Sequence, residues 1–185
     1  MSEYKTVGFI GLGVMGEPIC RNLVKKSGKR VVVFDLSPEP LARMRAEGAE
    51  IAGSAADVIK QSDLLFLCLP SAKHVRAVFE GDGILKNIRS GQIVVDLGTS
   101  SVNQTRDFAK QLQAKGASWA DAPIARTRQA AQDGTLSVTT WCCSRPSTRW
   151  LRRLQWPGTM ASIRNYCSIR YRRARPTALR CAITA

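Results

Sequence analysis

The run Gly11-Leu12-Gly13-Val14-Met15-Gly16 constrains this chain more than any other feature. It follows directly on Thr6–Ile10, an apolar stretch that reads as a buried strand. It opens residues 14–26, where Met15, Ile19, Leu23 and Lys26 recur at helical spacing. Glycines at the first, third and sixth positions between a strand and a helix each answer a separate need. One permits a tight turn, one a close approach to the backbone, and one close packing of helix on strand.

The rest of the chain continues the alternation. Arg30–Phe34 is a β-branched run ending at Asp35. Residues 38–47 read as a helix with Ser37 as N-cap, Pro38 in its first turn and Gly48 as its stop. A short strand is expected at 50–52, then a short helix at 54–61 capped by Ser54, then an apolar strand at 63–69 that Pro70 ends. Helices are expected at Ala72–Phe79 and at 102–115, the second stopping at Gly116, with strands at 92–97, 117–121 and 136–138. The strands are nearly continuous apolar runs, as parallel strands covered on both faces should be. The expectation is an α/β fold, a Rossmann-type doubly wound parallel sheet, over residues 1–138.

The glycine turn then takes on chemical meaning. Amide N–H groups and the positive end of the helix dipole converge at Gly11, Leu12, Gly13, Val14, Met15 and Gly16, and they suit the pyrophosphate of a dinucleotide. Asp35 ends the second strand nineteen residues after Gly16. A carboxylate there accepts hydrogen bonds from the adenine ribose hydroxyls and repels a 2′-phosphate. Leu36-Ser37-Pro38 offers no Arg to hold such a phosphate. NAD is therefore favoured over NADP. An ordinary glycine turn is the alternative, and the flanking strand, helix and acid argue against it.

At these residues the sequence resembles the β-hydroxyacid dehydrogenase family, of the 3-hydroxyisobutyrate dehydrogenase and tartronate semialdehyde reductase type. The resemblance begins at Val7–Gly16 by way of Met15 between the glycines, and runs through Leu69-Pro70. It continues at Val95-Asp96-Leu97-Gly98-Thr99-Ser100-Ser101 and ends at Asp121-Ala122-Pro123-Ile124. It implies that Leu69, Pro70 and Thr99 lie against the dinucleotide, and that Thr99 and Ser100 lie near substrate. The family usually has Ser where this chain has Gly98, and Ser-Gly-Gly where it has Ala125-Arg126-Thr127. The Arg126-Thr127 pair resembles the 3-sulfolactaldehyde reductase branch. A guanidinium in a substrate loop suits a carboxylate or sulfonate. The implied substrate is a small anionic hydroxy acid or its semialdehyde, and relatives of this kind are often homo-oligomers. His74, near a helix start, is read as positional rather than catalytic.

The resemblance also implies something this chain does not contain. The family's catalytic residue is a Lys on a long helix after the Rossmann domain, followed by an all-helical second domain. Here Lys115 is the last Lys, so no catalytic residue is assigned. The expectation is a chain truncated after its Rossmann domain, with the helical domain missing, that binds a dinucleotide and turns over little or nothing. The alternative is a dinucleotide-binding fragment without turnover whose basic tail binds nucleic acid.

That tail, residues 139–185, differs in kind from the body. Residues 1–138 carry 18 Lys and Arg against 14 acids, a net +4, whereas the tail carries 10 Arg and no Lys, Asp or Glu. It also holds three of the four Trp and four of the six Cys. A typical globular segment mixes both signs of charge. We read the tail as a frameshift product, atypical and poorly ordered, and place a nucleic-acid role second. No Cys pair has metal-site spacing and His74 is the only His, so no metal is expected. The first residues carry no apolar stretch of signal-peptide type, and no run is long enough to span a membrane. A cytoplasmic location without membrane contact is the default.

Overall fold

The computed structural model describes residues 4–81, 83–124 and 127–134, together with the backbone of 125, 137–138 and 141–142. Arg126 and most of 139–185 lie outside the described residues, and with them the expectations placed there.

In chain order the elements are β1 (Thr6–Ile10), α1 (Gly16–Ser27), β2 (Arg30–Phe34), α2 (Pro38–Ala46), β3 (Glu50–Ile51), α3 (Ala55–Gln61), β4 (Leu64–Leu67) and α4 (Ala72–Phe79). They continue with α5 (Ile84–Asn87), β5 (Ile93–Asp96), α6 (Val102–Ala114), β6 (Ser118–Asp121), β7 (Ile124–Ala125), α7 (Arg128–Asp133), β8 (Ser137–Val138) and β9 (Trp141–Cys142). One sheet has the order β3-β2-β1-β4-β5-β6-β9. Its first six strands run parallel, and β9 joins antiparallel to β6. This is the strand order of a dinucleotide-binding fold, with the switch point between β1 and β4.

The apolar strands bury both faces by simple alternation. Phe9, Val31, Val33, Leu64 and Phe66 pack on one face with Ile19, Leu23 and Met44 from α1 and α2. Ile10, Val32, Leu65, Leu67 and Val94 pack on the other with Val58, Phe79, Phe108 and Leu112. That second layer centres on an aromatic cluster. Phe79 stacks on Phe108 with ring centroids 3.8 Å apart, and Trp119 meets Phe79 edge-on at 5.8 Å. Gly8 lets α3 sit close to the sheet, because a Cβ there would lie 2.7 Å from both Ser62 Oγ and Val58 Cγ1.

Several local expectations shift. The first helix begins at Gly16 rather than at 14, because Val14 and Met15 are spent in the turn. Strand β4 stops at Leu67, with a last bond to β1 from Cys68 N–H to Ile10 O at 2.9 Å. Ser37 holds the N-cap position of α2 without capping it through its side chain. Ser54 and Ser101 do cap, accepting from Asp57 N–H and Gln104 N–H. The helices α5 and α7 were not expected, being too short to show a period.

Candidate dinucleotide-binding site

The glycine turn lies at the carboxyl end of β1, beside the switch point. Gly11 has φ 97°, and a Cβ there would stand 2.3 Å from the carbonyl oxygen of Cys68. Its N–H donates to Phe34 O at 3.1 Å, which ties the turn to the end of β2. A Cβ at Gly16 would meet Gly11 O at 2.0 Å, so α1 packs directly on the turn. Gly13 differs from both. A Cβ built on it meets nothing within 4 Å, and the residue is exposed. The turn is thus closed against the protein at Gly11 and Gly16 and open outward at Gly13, as a cradle for a phosphate group should be.

Asp35 completes the turn. Its Oδ2 accepts from Leu12 N–H at 2.5 Å and its Oδ1 from Ser37 N–H at 2.8 Å. The carboxylate is therefore held at the mouth of the cradle by two backbone donors. Leu36 beside it is 89 % exposed and offers an apolar surface at the same edge.

The second group of expected residues lies across the switch point, after β4 and β5. Leu69 is half-buried, and Pro70 and Thr99 are exposed. Ser100 is engaged inward, its Oγ donating to Asp96 Oδ2 at 2.7 Å, while Gly98 N–H donates to Asp96 Oδ1 at 2.9 Å. Thr127 caps α7, its Oγ1 accepting from Ala130 N–H at 3.4 Å. His74 accepts or donates through Nδ1 to Ser71 Oγ at 2.8 Å, at the exposed start of α4.

Two features of this edge escaped the sequence reading. Asp96 and Asp121 are register partners at the ends of β5 and β6. Burial raises the carboxyl pKa of both, against the bonds from Ser100 and Gly98 in the case of Asp96. Asp121 is pushed up to about 6 by burial first and by the charge of Asp96 second, and its Oδ1 is buried without a hydrogen-bond partner. The signal was present as an acid closing each apolar strand, but only the register puts the two side by side. The other feature is a brace between α1 and α2. Arg43 Nε and Nη2 donate to the two oxygens of Glu17 at 2.9 and 2.8 Å, and Arg21 Nη2 adds a third bond at 2.8 Å. The hydrogen bonds from Arg43, then its charge and that of Arg21, hold the Glu17 carboxyl below its usual range against burial.

Residues 6–147 match the model of the NAD binding domain of 6-phosphogluconate dehydrogenase. The chain belongs to that family. It binds a nicotinamide dinucleotide through a Rossmann-type domain, and the cradle at Gly13 and the carboxylate at its mouth fit such a group. Among curated relatives, the mitochondrial 3-hydroxyisobutyrate dehydrogenase of Rattus norvegicus is 34 % identical over 138 residues, 74 % of this chain and 41 % of the relative. The 2-(hydroxymethyl)glutarate dehydrogenase of Eubacterium barkeri is 37 % identical over 139 residues, 75 % of this chain and 46 % of the relative. The chain thus spans less than half the length of these two relatives.

Solved structures agree. The 3-hydroxyisobutyrate dehydrogenase of Mycobacterium tuberculosis, determined with L-serine, superposes with a TM-score of 0.73 at 27 % identity, over 87 % of this chain and 52 % of that one. Psf3 in complex with NADP+ and 2-OPP superposes with a TM-score of 0.72 at 31 % identity, over 80 % of this chain and 51 % of that one. Among the described residues no helix is long and apolar enough to cross a membrane.

Proposed function

We propose that this domain is the cofactor half of a β-hydroxyacid dehydrogenase, that it prefers NAD(H) to NADP(H), and that its substrate is a small anionic hydroxy acid or the corresponding semialdehyde. The observation that carries the preference is Asp35, fixed between Leu12 N–H and Ser37 N–H at the mouth of the cradle. A carboxylate in that place favours ribose hydroxyls and opposes a 2′-phosphate. Bound nicotinamide supplies hydride transfer. The chain's own residues bind and orient. The turn from Gly11 to Gly16 takes the pyrophosphate, and Leu69, Pro70 and Thr99 line the nicotinamide side. Arg126 and Thr127 would receive the anionic end of the substrate. Ser100 acts through Asp96, bracing the loop that presents Thr99.

Turnover needs a proton donor or a fixed positive charge at the developing alkoxide. Residues 116–185 contain no Lys, and the Arg side chains there stay protonated and relay protons poorly. We therefore assign no catalytic residue, and infer that the 185-residue chain holds its cofactor with negligible turnover. Residues 139–185 are read as out-of-frame sequence rather than as a nucleic-acid arm, because their abrupt loss of acids and Lys breaks with everything before residue 138. The compartment follows as cytoplasmic by default.

The experiment is calorimetric binding of NADH and NADPH to the wild-type chain and to Asp35→Ala, with an NADH-absorbance assay over a panel of 3-hydroxy acids and semialdehydes. NADH binding at least tenfold tighter than NADPH, with the gap narrowed in the variant and no turnover, is the expected result. Tighter NADPH binding to the wild-type chain refutes the cofactor assignment. Robust turnover refutes the inference that the chain lacks a catalytic group.

A further inference from the structure

A cavity of about 300 Å³ opens beside the glycine turn, lined by the turn and by three helices. Gly13 and Val14 come from the turn, Glu17 and Arg21 from α1, Arg43 from α2 and Arg128 from α7. Three guanidinium groups thus share a small space with backbone that presents amide donors.

Their charges are not equally available. Arg43 is held by both oxygens of Glu17, and Arg21 is shared between Glu17 and Glu47, with Nε 3.0 Å from Glu47 Oε1. These two are compensated inside the brace. Arg128 is different. Among the described residues it has no acidic partner, and Asp133, the acid on its own helix, is taken by Gln129 Nε2 at 2.9 Å. It occupies the first position of α7, immediately after the Thr127 cap. Among the described residues Arg128 is thus the one guanidinium lining the cavity without an acidic partner, and it faces the same space as the outward-open Gly13.

The placement of α7 is enforced from α1. Asn22 Nδ2 donates to Ala131 O at 2.9 Å and to Gln132 O at 3.0 Å, while also meeting Pro18 O of its own helix at 3.0 Å. Helix α1 thus presents the turn at its N-terminus and grips the carbonyls of α7 midway along its length. Arg128 is set against the turn by a fixed scaffold rather than by a free loop.

We propose that Arg128 is a cofactor-binding residue, whose guanidinium neutralises the phosphate oxygens of the dinucleotide cradled at Gly13. The proposal rests on the dinucleotide site at the turn and is independent of the substrate. Backbone amides alone supply partial charges at such a turn. An Arg supplies a full charge and a planar pair of donors suited to phosphate. The same chemistry could serve a free phosphate ion, and the test separates the two sources.

The test is calorimetric NADH binding to the full 185-residue chain at low and at 0.5 M salt, for wild type, Arg128→Gln, the double variant Arg128→Gln with Gln132→Arg, and Gly13→Val. Gln132 lines the same cavity one turn further along α7, so the double variant moves the charge without removing it. A charged hydrogen bond of this kind corresponds to about tenfold or more in affinity. Arg128→Gln should weaken NADH about tenfold at low salt and flatten the salt dependence, and the double variant should recover part of both. Inorganic phosphate should compete with NADH on the wild type and lose that ability on Arg128→Gln. Unchanged NADH affinity and salt dependence in Arg128→Gln, with binding abolished in Gly13→Val, overturns the role of Arg128 alone. Unchanged binding in Gly13→Val overturns the turn itself as the site. Phosphate bound through Arg128 without displacing NADH overturns the proposal in favour of a separate anion site.

Discussion

Gly13→Val and Gly16→Ala should separate what the glycine turn does for the fold from what it does for the ligand. A Cβ at Gly13 meets nothing within 4 Å, and Gly13 is not among the glycines with positive φ. The Cβ of a Val there therefore meets no part of the folded chain, and the substitution costs about 1 kcal/mol, from β-branching beside a helix start. For a domain of this size that is a fall of about 2–4 °C in melting temperature. The same side chain fills the space through which a phosphate must reach the turn. Two charge-assisted bonds lost at about 1.5–3 kcal/mol each remove at least a hundredfold in affinity. At Gly16 the balance reverses. The added Cβ stands 2.0 Å from Gly11 O and 3.0 Å from Gly11 C, both backbone atoms that no rotamer change can move. Relief requires α1 to shift off the sheet, at a cost of about 1–3 kcal/mol or more. Thermal melts by circular dichroism and NADH calorimetry on both variants check this. Retention of NADH within threefold by Gly13→Val, or a wild-type melt for Gly16→Ala, would refute the reasoning.

Asp121 makes stability depend on pH in a stated direction. Its folded pKa of about 6 lies above the ordinary value near 3.9, so the folded chain binds the proton more tightly. The contribution is fully present below the ordinary value and is lost as pH rises through about 6. Asp121→Asn should therefore flatten the melting-temperature profile between pH 5 and pH 7, and a profile identical to wild type refutes it. Any affinity of the 185-residue chain for nucleic acid should be indifferent to sequence and fall steeply with salt, since Arg–phosphate contacts would carry it; a filter-binding titration at two salt concentrations reads this, and a sequence-specific complex that survives high salt contradicts it.

The sheet was legible because its central strands bury both faces. Val31–Val33 and Leu64–Leu67 are apolar without interruption, and no other element tolerates that beside a glycine turn. The cradle was legible for a related reason, since glycines at 11 and 16 answer to local geometry that the chain must satisfy whatever surrounds it, and Gly13 completes their spacing. Elements shorter than two turns were not legible. Helix α7 spans Arg128–Asp133 and contributes a single buried residue, Ala131, so it has no period to read. Pairings between distant residues were illegible too. The Asp96–Asp121 register joins positions 25 apart, and the bonds from Asn22 to α7 cross more than a hundred residues.

That division follows the physics of the site itself. What sequence displays is the part of the cradle built by a single continuous segment, strand to turn to helix. What it hides is the support that arrives from elsewhere, through the bond from Leu12 N–H to Asp35, through Arg43 from α2 and through the α7 carbonyls held by Asn22. Each of these contacts ends on the turn or on α1. The turn and helix α1 therefore carry the site together, fixed at three places: the turn to Asp35 at Leu12, and α1 to α2 at Glu17 and to α7 at Asn22. An amide cradle can hold an anion without reorganisation only if its donors are already fixed, and these three attachments fix them. A fault at any one of them should then loosen dinucleotide binding even though none touches the ligand's base, which is why the fold around α1, rather than the glycines alone, decides whether the turn works.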